Sequence, residues 1–192
     1  MIDIRKPMEP LMTQWFGAGV EARYKPGRSA TGVPLARTAR KAKGAKPIYV
    51  LNGPNLNLLG SREPEVYGHM TLGEIERRVE ERAASLGFST VFRQTNSEGE
   101  LIGWLQEARQ NAAAVVLNGA GLTHTSVALL DAVRALERPL IEVHLSNPYA
   151  REDYRRHSFV SEGAKGVICG LGADGYLYAI DHLVRLLEGR TG

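Results

Sequence analysis

Five short, largely apolar runs, at residues 48–51, 88–94, 113–117, 140–144 and 166–169, alternate along this chain with stretches whose apolar residues recur at helical spacing. Few folds accept that alternation. A strand that is apolar on both sides must be covered on both faces, and helices interposed between successive strands give a parallel sheet sandwiched by helices. Leu72, Ile75, Val79, Ala83 and Leu86 mark one face of the first helix, with Gly87 placed to end it. Ser97 followed by Glu100 fits a capping box ahead of a second helix, faced by Leu101, Ile102, Leu105 and Ala108. A third begins near Thr125 with Val127, Leu130 and Val133 on its stripe, and a closing helix carries Tyr176, Ile180, Leu183, Val184 and Leu187.

The whole chain has 192 residues, 43% of them hydrophobic and 23% charged, which suits one globular domain and a tail. The expected fold is α/β: a flavodoxin-like doubly wound sheet of five parallel strands with helices on both faces. Charge divides the sequence further. Residues 1–47 carry a net +7 and the remainder −4, so the formal +3 of the whole describes a mildly acidic body with a basic arm. We read residues 1–46 as a basic, disordered extension and 47–192 as a single folded domain. A transit peptide or a nucleic-acid arm are alternatives for the extension. For the body, nucleic acid is an unlikely partner on charge alone.

No apolar run approaches the roughly 20 residues of a membrane span, and the amino terminus lacks the apolar block of a secretory signal, so a cytoplasmic protein is expected. The single cysteine, Cys169, excludes an internal disulfide framework and a cysteine-rich metal site. Its setting, Gly-Val-Ile-Cys-Gly, suits a strand residue better than a nucleophile. Past residue 47 the only lysine is Lys165, in a polar turn where nothing apolar would depress its pKa, which argues against Schiff-base chemistry. No G-x-x-x-x-G-K-[ST] occurs, and Gly170-Leu-Gly-Ala-Asp-Gly is set aside as a dinucleotide fingerprint on its spacing.

Polar residues gather where strands end: Asn55, Arg62 and Tyr67 after the first, Asn118 and His124 after the third, His144, Ser146 and Asn147 after the fourth. Open α/β sheets bind their ligands beyond the carboxyl ends of strands, so these loops should meet at one rim. Strand alternation places Glu142 and His144 on one face, which suits either a histidine satisfied by a local carboxylate or a general acid oriented by one. His124 could cap a helix, and Asp131 could be a solvated helix position. Tyr67 titrates near 10 when unperturbed, so service as a base needs a nearby cation, and Arg62 lies five residues before it. Ser126, His124 and Asp131 offer a superficial hydrolase triad without a nucleophile elbow.

Taken together, Asn52-Gly-Pro-Asn-Leu-Asn-Leu-Leu-Gly, Arg62-Glu-Pro-Glu-Val-Tyr-Gly, Gln94-Thr-Asn-Ser-Glu-Gly, Thr123-His-Thr-Ser-Val-Ala-Leu-Leu-Asp, Ile141-Glu-Val-His-Leu-Ser-Asn and Arg151-Glu-Asp-Tyr-Arg-Arg-His-Ser resemble type II 3-dehydroquinate dehydratase, in order, from about residue 48 to 187. The resemblance implies cofactor-free dehydration of 3-dehydroquinate to 3-dehydroshikimate by a homo-oligomer, a dodecamer of trimers. It implies that Tyr67 is the base at C2, held as phenolate near Arg62. Asn55 would position a water on the enolate oxygen, and His144, oriented by Glu142, would protonate the departing C1 hydroxyl. Asn118, His124 and Arg155 would bind ring hydroxyls and neighbouring groups, Leu145 and Ser146 the carboxylate, and Asp131 would reach a neighbouring subunit's site. Arg151 matches a second arginine of the lid region. Thr95 replaces a usual serine, and the basic extension has no counterpart in the pattern. An alternative function is a non-catalytic flavodoxin-like binding module whose basic arm contacts RNA or an acidic partner.

Overall fold

The computed structural model describes residues 46–61 and 69–190. Of the expected features, the extension at residues 1–46 (Lys46 apart), Arg62 and Tyr67 lie outside the described residues. Within them the strands are β1 (Ile48–Asn52), β2 (Thr90–Gln94), β3 (Ala114–Asn118), β4 (Leu140–His144) and β5 (Gly166–Cys169). All pair in parallel, in the order β2-β1-β3-β4-β5. Four α-helices cross between or follow them: α1 (Leu72–Ser85), α2 (Glu98–Asn111), α3 (Val127–Ala135) and α4 (Asp174–Leu187).

Every residue of β1, β3 and β4 is buried, and the period of two sorts their side chains between two cores. Ile48 and Val50 join Ile75, Val79 and Ala83 of α1 and Ile180 and Leu183 of α4 on one face. Tyr49 and Leu51 join Leu101 and Leu105 of α2 and Leu129 and Val133 of α3 on the other. Each large apolar side chain fully buried this way stabilises the fold by roughly 1.5–3 kcal/mol. The Arg82–Asp181 ion pair that also links α1 to α4, at 2.6 Å, is partly solvated and belongs to a class worth about 0–1 kcal/mol. Packing, not charge, holds the helices on the sheet.

Local chemistry departs from the sequence expectation in three places. The reciprocal capping box stands on α1, where Thr71 and Glu74 exchange side-chain and backbone bonds. At α2, Ser97 accepts from the Glu100 amide, but the Glu100 carboxylate turns to the Thr95 hydroxyl instead of closing the box. The third helix starts at Val127, capped by Ser126, after a separate 3-10 turn at Ala120–His124. That turn resets the helical phase, so Val127 is 55% exposed and Leu129, Leu130 and Val133 form the buried face. Leu187, the last residue of α4, is likewise exposed.

The glycines after β5 also need a correction. Gly170, Gly172 and Gly175 do have G-x-G-x-x-G spacing, the first two lying between β5 and α4 and the third in the first turn of α4. What they lack is the place and the free amides. β5 is an edge strand, far from the sheet's switch point. The Gly170 amide is bonded to the His144 and Ser146 carbonyls, and the Gly172 amide to the Leu145 carbonyl, so these donors brace the β4 loop.

Sheet order fixes where a ligand can go. From β1 the chain crosses by α1 to β2 on one side, and from β3 it crosses by α3 to β4 on the other. The connections diverge between β1 and β3 and leave a crevice at their carboxyl ends.

Candidate active site

Gly53 follows β1 and donates its amide to the Asn118 carbonyl at 2.8 Å, drawing the β1 and β3 loops together. Asn55 then turns the chain in the left-handed region, φ 67°, which asparagine tolerates better than most residues. Its amide donates to Asn96 Oδ1 at 2.8 Å, and Gln94 Nε2 donates to that same oxygen and to the Gly53 carbonyl. The end of β2 and the segment after it thereby brace the first loop. Thr95 beside it uses its hydroxyl twice, to Glu100 and from the Ser97 amide, a role serine could fill equally.

β4 supplies the chemistry. Glu142 is fully buried and accepts from the Thr123 hydroxyl at 3.0 Å, from the Ser158 hydroxyl at 2.9 and 3.0 Å, and from His144 Nε2 at 2.8 Å. A buried carboxylate is tolerable only with such a set of donors. Because the carboxylate accepts from Nε2, the imidazole presents Nδ1 as its other nitrogen. His144 stacks on His124, ring centroids 6.2 Å apart and 15° from parallel.

His124 is anchored differently. Its Nδ1 lies 2.7 Å from the His157 carbonyl, which can only accept, so Nδ1 carries a proton and the neutral ring has Nε2 as an acceptor. Burial, with smaller contributions from His144 and Arg155, holds the His124 pKa below its ordinary value and favours that neutral form. The Phe159 amide donates to the Thr123 carbonyl at 2.9 Å, so the stretch carrying Arg155, His157 and Ser158 is tied to the turn after β3.

These loops enclose a cavity of about 150 Å³. Asn55, Leu56 and Leu59 line it from the first loop, Asn118 and His124 from the second, His144, Leu145 and Ser146 from the third, and Arg151 and Arg155 from beyond. Two arginines and two histidines face it, with no lysine and no carboxylate among its described lining. Glu152 draws off part of that charge, 2.8 Å from Arg155 Nε and 3.6 Å from Arg151 Nε. The cavity suits a small anion bearing hydroxyls, with a histidine–carboxylate pair at one wall.

Most of the residues singled out from the sequence meet here. Asn55, Asn118, His124, His144, Leu145, Ser146, Arg151 and Arg155 line the cavity, and Glu142 stands behind His144. Asp131 is exposed on α3 and is not part of the lining. Lys165 is exposed in its turn, and burial raises the Cys169 thiol above its ordinary value. Among the described residues no cluster of His, Cys, Asp or Glu could hold a metal ion, and no helix is long and apolar enough to cross a membrane. The sequence reading overlooked the supporting partners Thr123, Ser158, Asn96 and Tyr176. Only Asn52 and Asn118, polar ends of two apolar strands in matched register, gave a signal that could have pointed to Tyr176.

The family model described as dehydroquinase class II matches residues 46–184. A 3-dehydroquinate dehydratase of Phenylobacterium zucineum is 60% identical over 137 residues, 71% of this chain and 94% of that protein. One from Caulobacter vibrioides is 60% identical over 143 residues, 74% of this chain and 98% of its own length. Among solved structures, the type II dehydroquinase of Propionibacterium acnes superposes with a TM-score of 0.71 at 44% identity, covering 73% of this chain and 97% of that one.

Proposed function

The chain belongs to the class II dehydroquinase family and dehydrates 3-dehydroquinate to 3-dehydroshikimate, a carbon–oxygen lyase step of the shikimate pathway; from that premise we propose how its residues divide the chemistry. Tyr67, as a phenolate stabilised by Arg62, removes a proton from C2 of the substrate. The electrons pass into an enolate, whose oxygen is bonded by a water positioned by Asn55. His144 then gives a proton to the C1 hydroxyl, which leaves as water in an anti elimination. Two acid/base groups on separate loops suit such a stepwise path, and preorganised donors lower the energy of the enolate.

The observation that carries this proposal is the Glu142–His144 pair on the wall of an arginine-lined cavity. With Nε2 committed to Glu142, the proton transferred to the leaving group comes from Nδ1, and the buried carboxylate supports the imidazolium that holds it. Arg155, His124 and Asn118 bind ring hydroxyls and their neighbours, and Leu145 and Ser146 receive the substrate carboxylate. Arg151 adds positive charge at the same wall. No metal or cofactor enters these steps.

The same proposal takes residues 47–192 as the catalytic domain, with residues 1–46 as an extension outside it. It takes the working form as a cytoplasmic homo-oligomer, a dodecamer of trimers, in which Asp131 reaches a neighbouring subunit's site. Its exposure on α3, away from its own cavity, supports that placement.

Exchange in heavy water separates the two roles. In His144→Ala, C2 of 3-dehydroquinate should still exchange its proton for deuterium while dehydration falls by about 10²–10⁴-fold, the usual size of an acid/base contribution. Tyr67→Phe should abolish both. Retained exchange in folded Tyr67→Phe would refute the assignment of the base.

A further inference from the structure

Tyr176 is completely buried on α4, and its ring belongs to the core between α1, α4 and the sheet. Its hydroxyl nevertheless sits in a chain of polar groups that no apolar role requires. The hydroxyl donates to Asn52 Oδ1 at 2.7 Å and accepts from Asn118 Nδ2 at 2.8 Å. Asn52 in turn donates from Nδ2 to the Arg93 carbonyl at 3.1 Å, and Asn118 Oδ1 accepts from the Ala120 amide at 3.2 Å.

The two ends of this chain are backbone groups, and they fix its direction. The Arg93 carbonyl can only accept, so Asn52 must point Nδ2 at it and Oδ1 at Tyr176. The Ala120 amide can only donate, so Asn118 must point Oδ1 at it and Nδ2 at Tyr176. One hydroxyl with a single proton satisfies both asparagines in this arrangement, donating to one and accepting from the other. Burial raises the phenol's pKa far above its ordinary value, so the proton stays in place across the working pH range.

Asn118 is the member of this chain that lines the cavity, while Asn52 is wholly buried at the end of β1. We propose that Tyr176 is a positioning residue for substrate recognition: its hydroxyl locks the amide of Asn118 in one of its two flips and so sets which hydroxyl pattern the cavity accepts. Once two of its bonds are committed, Asn118 has one N–H and one oxygen lone pair left to offer, in a fixed arrangement. Without the hydroxyl, the 3.2 Å contact with Ala120 alone would resist a flip. This inference rests on the proposed contact between Asn118 and the substrate's ring hydroxyls.

Steady-state kinetics on 3-dehydroquinate with Tyr176→Phe, Asn118→Ala and the double variant test it. Tyr176→Phe should raise KM roughly five- to tenfold, the size of one neutral hydrogen bond, with kcat per folded site within about threefold. A merely structural loss would lower kcat through the active fraction and leave KM alone. The double variant should match Asn118→Ala. If Asn118→Ala leaves KM unchanged, the substrate contact itself is wrong. If Asn118→Ala raises KM while folded Tyr176→Phe does not, or if the two effects multiply, the positioning role is wrong and the contact stands. Should Tyr176→Phe fail to fold, Asn52→Ala interrupts the chain from its other end and keeps the tyrosine. It should raise KM to a similar extent, and an unchanged KM would overturn the proposal.

Discussion

At Glu142 the hydroxyls of Thr123 and Ser158 stand where water would stand around a surface carboxylate. A charge taken wholly out of water persists only when its oxygens are bonded, and here the remaining donor is the histidine proposed to carry the catalytic proton. Ser158 touches both carboxylate oxygens and accepts the Ser161 amide, which aims its proton at Glu142. Ser158→Ala should therefore lower kcat by about 10- to 100-fold, as expected for a hydrogen bond to a charged group, with KM little changed. Steady-state kinetics read both, and an unchanged kcat would show that Ser158 does not support the pair. Glu142 and His144 were legible in the sequence because two residues of one strand share a face. Thr123 and Ser158 were not, because only the fold folds their loops back over β4.

Among the elements, the β1 and β3 loops are held closer than side chains allow. A Cβ on Gly53 would stand 2.6 Å from the Gly119 carbonyl oxygen and 3.3 Å from that of Asn118, both backbone atoms with little freedom to withdraw. Gly53→Ala should spread the carboxyl ends of β1 and β3 at the crevice, costing about 1–3 kcal/mol of stability as overpacking does. A lower denaturation midpoint together with a reduced kcat/KM would bear this out, and wild-type values of both would contradict it. Strand and helix identities were readable from period alone, since the apolar faces of α1 and α4 and the buried runs of β1, β3 and β4 leave little choice. Phase and capping were less so. Val127 reads as part of an apolar stripe until the 3-10 turn before it is known, and Glu100 reads as a box partner until Thr95 competes for it. Gly53 gives no periodic signal, because its purpose is a contact with Asn118 and Gly119 at the far end of β3, a long-range neighbour brought close only by sheet topology.

For the molecule as a whole, an acidic body that gathers two arginines and two histidines around one cavity has the charge distribution of an enzyme for a small anion. Half of the proposed acid/base set stands at that cavity, in His144 on its wall with the buried Glu142 carboxylate behind it. The other half, Tyr67 and Arg62, lies outside the described residues and rests on the motif Arg62-Glu-Pro-Glu-Val-Tyr-Gly. The most direct measurement is the absorbance of the enone formed when the purified full chain meets 3-dehydroquinate without added metal or nucleotide. We expect absorbance to grow to equilibrium at a rate proportional to enzyme, to vanish in Tyr67→Phe and to grow about 10²–10⁴-fold more slowly in His144→Ala. A flat trace from correctly folded wild-type protein would contradict the account.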